Sequence, residues 1–169
     1  HAVCLVPERR EERTTEGGLD VIGGLKLLKP FVGKLRDAGI RVSLFVEPDL
    51  KTIEASAKAG ANIVELHTGK YCHLALDYDA AGVAREFERH RKAAVAAHAL
   101  GLEVHAGHGL TYNTVAPIAR LPEVVELNIG HFLIGEAIFG GLSSAVRRMR
   151  TLMDDARSEM STAPAKARA

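Results

Sequence analysis

Four segments of the chain repeat one pattern, in which a helix ends at a small residue or proline, a short apolar strand follows, and polar or glycine residues close the unit. They read AGIRVSLFVEPD, AGANIVELHTGK, LGLEVHAGHGLT and LPEVVELNIGHF. The predicted strands begin near Arg41, Asn62, Glu103 and Glu126, a spacing that suits a β-strand plus its crossover helix, with one unit enlarged. The apolar run AVCLVPE adds a fifth strand.

Amphipathic segments with their own start and stop signals separate these strands. The predicted helices cover residues 25–38, residues 50–59 capped by Asp49, residues 79–100, a short segment capped by Asn113, and a last segment that begins at Ser143 or Ser144. Val95 and Val146 are among the side chains that the helical spacing predicts to face the core.

Strands that are apolar on both faces and alternate with helices predict a parallel sheet covered by helices. A doubly wound sheet and a (β/α)8 barrel both satisfy this pattern. We expect residues 1–157 to form one domain. The tail, residues 158–169, is small, polar and basic and is predicted to be disordered.

Composition narrows the class of protein. The chain has 169 residues, of which 47% are hydrophobic and 25% charged, as in one globular domain. Its 22 Lys and Arg nearly cancel its 21 Asp and Glu, which argues against nucleic acid or a membrane surface as partner. Cys4 and Cys72 form no CxxC pair, and no apolar run is long enough to span a bilayer, so we expect a cytoplasmic protein.

Polar residues follow nearly every predicted strand. In either parallel architecture ligands bind beyond the carboxyl ends of the strands, so these residues are expected to share one site. In chain order they are Glu8, Glu47, Glu65, His67, Thr68, His105, Gly107, His108, Gly109, Asn128, Gly130 and His131. A carboxylate can polarise a carbonyl or hydroxyl group, and imidazoles move protons near neutral pH, so acid–base chemistry is predicted.

Two further features point to phosphorylated ligands and a substrate loop. Glycines in GHG and IGHFLIG expose backbone N–H groups, and Gly109, Gly130 and His131 are the predicted phosphate site if they follow the last two strands of a barrel. The segment 9–20 is charged, contains the run TTEGG and is longer than a simple connection, which is typical of a lid.

Taken together, these motifs resemble the pyridoxine 5′-phosphate synthase family. The resemblance runs through CLVPERREERTTEGGLDV, AGIRVSLFVEPD, IVELHTG, VHAGHGLTY and ELNIGH, which covers nearly all of the chain except the tail. It implies a (β/α)8 TIM barrel that needs no cofactor or metal. The implied reaction condenses 3-amino-2-oxopropyl phosphate with 1-deoxy-D-xylulose 5-phosphate to pyridoxine 5′-phosphate, phosphate and water.

The resemblance also implies roles for individual residues. His108 matches the proton donor, and Glu65 matches the residue that stabilises the transition state. Thr14 matches a contact to the deoxyxylulose phosphate. Contacts to the aminooxopropyl phosphate match Gly109, Gly130 and His131. No role is implied for Cys4, Cys72, His67 or His105.

One departure from the family's pattern limits these expectations. The family's first three strands carry a catalytic His, a catalytic Glu and further phosphate-binding residues, whereas this chain starts at what corresponds to the fourth strand. We therefore expect the C-terminal portion of a barrel, an incomplete barrel of about five parallel strands. Little or no turnover is expected from this chain alone, and the resemblance suggests a homo-oligomer for the full-length protein.

Two other functions fit the residues. A metal-dependent barrel aldolase or hydrolase could use Glu65, His67, His105, His108 and His131 as ligands, although no HxH or HExxH spacing supports it. A non-catalytic half-barrel could bind a phosphorylated metabolite or pair through its open edges.

Overall fold

The computed structural model describes residues 1–7 and 17–162 and shows a parallel sheet with helices on one side. In chain order the elements are β1 (Ala2–Leu5), α1 (Val21–Asp37), β2 (Arg41–Val46), α2 (Leu50–Ala59), β3 (Ile63–His67), α3 (Gly69–Leu76), α4 (Ala80–Ala99), β4 (Glu103–Gly107), α5 (Val115–Ala119), β5 (Val124–Asn128), α6 (His131–Gly140) and α7 (Leu142–Thr162). The five predicted strands and the α/β fold are confirmed.

The order of the strands decides between the two architectures that the sequence left open. They pair as β1-β2-β3-β4-β5, and every pair is parallel. Each crossover therefore advances in the same direction, and the helices form one continuous layer in which α1 contacts α2, α2 contacts α4, α4 contacts α5, and α5 contacts α7. This singly wound arrangement is that of an open, incomplete (β/α) barrel. In a doubly wound sheet the strand order reverses at one point, and helices cover both faces.

The core lies between the sheet and this helical layer. In β2, Val42, Leu44 and Val46 face the helices and are fully buried, and they alternate with residues on the other face of the sheet. Ile53 of α2 is fully buried as well. The opposite face of the sheet carries Ser43, Phe45, Glu65, His67 and His105, all buried. The expectation of strands apolar on both faces is therefore wrong, because one face packs against helices and the other lines a polar interior.

Most helix signals are confirmed. Asp49 accepts hydrogen bonds from the backbone N–H groups of Lys51 and Thr52, and Gly60 ends α2 with φ at 87°. The long helix predicted over residues 79–100 is α4, which Asp79 caps by accepting from Gly82 N. The first helix begins at Val21, earlier than predicted, because Asp20 caps it through Gly23 N.

Several helix predictions need correction. Asn113 is exposed and does not cap α5; the N-cap is Thr114, whose hydroxyl accepts from Thr111 N at 2.9 Å and so closes a turn before the helix. Val95 and Val146 point outward, with 44% and 45% of their surface exposed. Residues 158–162, predicted to be disordered, continue α7 as helix, whereas residues 163–169 lie outside the described part.

Two helices were not predicted. α3 fills the enlarged unit between β3 and β4, directly after the strand and without a side-chain cap. α6 is apolar around its circumference, so it lacks the periodic pattern of a surface helix, and none of its residues is buried. Within the described residues, no helix is both long enough and apolar enough to cross a bilayer.

Candidate active site

The register of the sheet lines up polar residues on the face that the helices leave open. In one row Glu65 lies opposite His105. In the next row, toward the carboxyl ends, His67 lies opposite Gly107, and Gly107 lies opposite Asn128. Since side chains alternate between the faces of a strand, each row points the same way.

These rows open into a cavity of about 1020 Å³ at the carboxyl ends of the strands. The predicted site residues that line it are Glu65, His108, Gly109, Gly130 and His131. The fold thus brings together five of the six residues expected to form the site. Thr14 lies outside the described residues, as do Glu8 and most of the predicted lid.

Glu65 is the buried acid of this cavity, with 9% of its surface exposed. Its carboxylate accepts a hydrogen bond from Cys4 Sγ at 3.6 Å and another from the side chain of Asn128. Burial nevertheless dominates and raises the pKa of Glu65, because desolvation disfavours the charged form. A β-carbon at position 107 would collide with Glu65 Oε1, so only glycine leaves room for this carboxylate.

Cys4 serves Glu65 as a hydrogen-bond donor and not as a nucleophile. It lies on the edge strand β1 and is exposed, but its thiol is desolvated where it meets Glu65. This desolvation, together with the neighbouring carboxylate, raises the pKa of Cys4 to about 11. The thiol therefore keeps its proton at neutral pH, and a protonated thiol is a poor nucleophile.

His108 projects into the cavity from a strained turn after β4. It has a φ of 74°, which is uncommon for a residue with a side chain, and Gly109 follows with a φ of 85°. Buried Thr68 holds this turn: its N–H donates to Gly107 O at 2.8 Å, and its hydroxyl reaches Gly107 O at 2.7 Å and His108 O at 2.6 Å. The strain therefore places the imidazole over the ends of the strands.

The surroundings of His108 favour its neutral form. Partial burial is the main cause that lowers the pKa of His108, and the positive charge that His67, His73 and His131 can carry lowers it further. At neutral pH the unliganded ring is therefore ready to accept a proton, which it can then return as an acid. A bound anion would oppose this effect by stabilising the imidazolium.

His131 and Gly130 mark the far side of the cavity. Gly130 is the N-cap of α6 and His131 is its first residue, and both are exposed. Backbone N–H groups at the start of a helix carry partial positive charge and point at a ligand placed there. Gly109 lines the same cavity, so these three residues remain the predicted anion site.

His105 does not line the cavity. It is buried one row deeper than His67, and its Nε2 lies 2.8 Å from Glu103 Oε1 while its Nδ1 lies 3.3 Å from Glu126 Oε1. Both ring nitrogens are engaged with carboxylates, which makes His105 a structural link between β4 and β5.

The sequence missed residues of α3 that line the cavity. Lys70 and His73 lie on the first turns of α3, and Phe45 and Cys4 line the cavity from β2 and β1. Since α3 was not predicted, neither basic residue could be placed. Glu47, His67 and Asn128 were predicted as polar residues that follow strands, and the structure places them in the same cavity.

Metal-ligand geometry is not found in the described part of the chain. Among residues 1–7 and 17–162, no three His, Cys, Asp or Glu side chains come together in a way that could hold a metal ion. The five residues considered as ligands for a metal-dependent aldolase or hydrolase do not all converge, because His105 contacts Glu103 and Glu126 instead.

Comparison with known proteins identifies the family. Residues 1–155 match the model of the pyridoxal phosphate biosynthesis protein PdxJ. The chain belongs to this family.

Curated relatives of this PdxJ-family chain are named pyridoxine 5′-phosphate synthase. One from Cereibacter sphaeroides is 64% identical over 157 residues, covering 93% of this chain and 62% of the relative. Another, from Rhodospirillum rubrum, is 63% identical and covers 92% of this chain and 61% of the relative. The chain thus spans about three fifths of the length of these relatives. The YdjI aldolase from Escherichia coli K12 shares 15% identity at a TM-score of 0.46, over 85% of this chain and 55% of the aldolase, which is too low to bear on function.

We predict that Glu65→Gln changes the pH dependence of stability. Because the pKa of Glu65 is raised by folding, its contribution is fully present below its unfolded pKa and is lost as pH rises through the folded value. The variant should therefore gain in free energy of unfolding relative to wild type as pH rises from about 4 toward neutrality, by about 1.4 kcal/mol per unit of pKa difference. Urea unfolding across this range measures it, with exposed Glu54→Gln on α2 as the control; parallel curves for wild type and Glu65→Gln would contradict the buried acid.

Inorganic phosphate is expected to raise the pKa of His108 in the PdxJ-family chain. An anion held by Gly109, Gly130 and His131 would stabilise the protonated ring. The change can be followed by NMR titration of the His108 ring protons with and without phosphate. His98, at the exposed end of α4, serves as the control for ionic strength. A pKa of His108 that phosphate leaves unchanged would argue against an anion site at this end.

Proposed function

We propose that this chain carries a major part of the active site of a pyridoxine 5′-phosphate synthase. The reaction condenses 3-amino-2-oxopropyl phosphate with 1-deoxy-D-xylulose 5-phosphate and releases phosphate and water. The observation that carries the proposal is that Glu65, His108, Gly109, Gly130 and His131 line one cavity of a PdxJ-family chain. The curated relatives bear the name of this activity.

The proposed roles follow from the environment of each group. His108 has a lowered pKa, so its ring is neutral before substrate binds. It accepts a proton and then donates that proton to the leaving oxygen. Glu65, whose pKa burial raises, stabilises charge or hydrogen-bonds to a carbonyl that develops charge in the transition state. Imine formation, dehydration and ring closure each move protons, which suits an imidazole and a buried carboxyl facing one cavity.

The proposed substrate contacts involve two sets of residues. Gly109, Gly130 and His131 bind the phosphate of the aminooxopropyl substrate through backbone N–H groups and an imidazole. Thr14 contacts the deoxyxylulose phosphate. Both substrates are small phosphorylated molecules, and we propose no nucleic acid or membrane partner and a cytoplasmic location.

We further propose that the chain corresponds to the barrel from its fourth strand onward and has little turnover alone. The sheet ends in two strands, β1 and β5, that pair on one side only within the described residues. A closed barrel would pair both edges and enclose the polar face. For the full-length protein we propose a homo-oligomer, to which the exposed apolar residues Ile138 and Phe139 of α6 offer a surface.

The test is formation of pyridoxine 5′-phosphate from the two substrates, with this chain alone and with the chain extended upstream to the length of its relatives. We expect product from the extended protein and little or none from the chain alone. Phosphate binding by the folded extended protein without any product would instead favour a binding protein and contradict the synthase.

Replacing the proposed proton donor is expected to lower turnover strongly without unfolding the protein. In the form that makes product, His108→Ala should lower kcat by roughly 10²-fold or more, the usual contribution of a positioned acid or base. His98→Ala removes an exposed histidine from the end of α4 and should retain wild-type kcat. Steady-state kinetics of both variants decide the role, and equal kcat for them would remove His108 from the mechanism.

A further inference from the structure

Glu47 and His67 form a close carboxylate–imidazole pair beside the proposed proton donor. Glu47 Oε1 lies 2.7 Å from His67 Nδ1. The hydrogen bond from His67 is the main cause that lowers the pKa of Glu47, so this carboxylate is ionised at neutral pH and can only accept. The shared proton therefore belongs on Nδ1 of His67.

The other nitrogen of His67 is buried and has no hydrogen-bond partner in the described part of the chain. His67 is 6% exposed, and its Nε2 makes no hydrogen bond to any described residue. It lies under the first turn of α3, where a β-carbon at position 69 would come within 2.5 Å of Nε2 and 3.2 Å of His108 Cδ2. An unpartnered buried nitrogen calls for an explanation, because such groups are rare and costly in folded proteins.

The ring of His67 supports the ring of His108. Their centroids are 5.0 Å apart in an edge-to-face arrangement. Phe45 packs against both rings, at 5.0 Å from His67 and 6.2 Å from His108. From behind, the His90 side chain of α4 lies 3.0 Å from the carbonyl oxygen of His67. His67 is thus fixed on several sides, and its protonation state is felt by His108 at short range.

Glu47 also joins this pair to the end of the predicted lid. Its Oε1 accepts a hydrogen bond from the Gly18 backbone N–H at 3.1 Å. A β-carbon at position 18 would collide with the backbone of Glu47, so only glycine allows this approach. The same oxygen thus holds both the imidazole and the residue that follows the TTEG run containing Thr14.

We propose that Glu47 and His67 are a positioning pair for His108. Glu47 accepts the hydrogen bond from Nδ1 of His67, and a proton on the buried Nε2 would find no acceptor among the described residues. The pair therefore holds His67 as the Nδ1–H tautomer, a rigid neighbour of His108 backed by a negative charge. This arrangement favours transfer of a proton to His108, since a charged His67 at the same distance would oppose it. The carboxylate of Glu47 would act like the acid of a catalytic triad, which holds an imidazole in the required tautomer.

The inference rests on the proposed function for its kinetic part and on NMR for a part that needs no turnover. Nitrogen chemical shifts of ¹⁵N-labelled imidazoles report which nitrogen carries the proton. We expect wild-type His67 to be the Nδ1–H tautomer at neutral pH. In Glu47→Leu, which removes the acceptor, the proton should redistribute to Nε2. Exposed Glu54→Leu on α2 is the matched control and should leave the tautomer unchanged.

Kinetics of the same variants, in the form of the protein that makes product, complete the test. Glu47→Leu should lower kcat about tenfold or more, the scale of a lost supporting partner, with a smaller effect on KM. Glu54→Leu should retain wild-type kcat. A wild-type His67 protonated on Nε2, or a Glu47→Leu variant with unchanged kcat, would overturn the proposal. Absence of product from every form of the wild type would instead refute the synthase, and the tautomer would still decide whether the pair exists.

Discussion

Parallel register is the constraint on which the rest of this structure depends. Glu65 pairs with His105, and His67 pairs with Gly107, only because β3 and β4 meet without a slip of one residue. A slip would turn each polar side chain toward the helices and each core side chain toward the cavity. Burial of Val64, Leu66, Val104 and Ala106 against the helices therefore fixes the place of the polar groups that face the other way.

The polar face of the sheet combines paired charges with one acid whose pKa is raised. Arg41 bonds to Glu103 at 2.7 Å, and Glu103 and Glu126 flank His105. Glu65 lies opposite His105 in the same row, but its carboxylate accepts from Cys4 and Asn128, and burial raises its pKa. The paired charges thus link strands across the sheet, and Glu65 retains a carboxyl group whose protonation can change.

The strands and most helices could be predicted because their signals are local. Asp49 and Gly60 bound α2 by capping chemistry that the sequence displays directly. The convergence of Glu65 and His108 could also be predicted, since all parallel strands end at one edge. In contrast, α6 has no periodicity that would indicate a helix, because apolar residues lie all around it and none of them is fully buried.

Contacts between residues that are distant in the chain could not be predicted from the sequence. Nothing near Glu47 indicates that it meets His67, because the pair forms only when β2 and β3 align. The pairing of both ring nitrogens of His105 with carboxylates likewise depends on Glu126 from the next strand. The family resemblance supplied residue roles, but it could not supply the backbone conformation of His108 or the crowding that requires glycine at position 107.

The two left-handed residues after β4 have a consequence for the order in which the structure assembles. His108 holds a backbone conformation that is unfavourable for a residue with a side chain, and Thr68, at the end of the neighbouring strand, maintains it. That support does not exist until β3 and β4 have paired, so the turn cannot be held in this conformation before the two strands meet. A local opening that separates Thr68 from this turn would release His108 from its place over the cavity without any unfolding of the core.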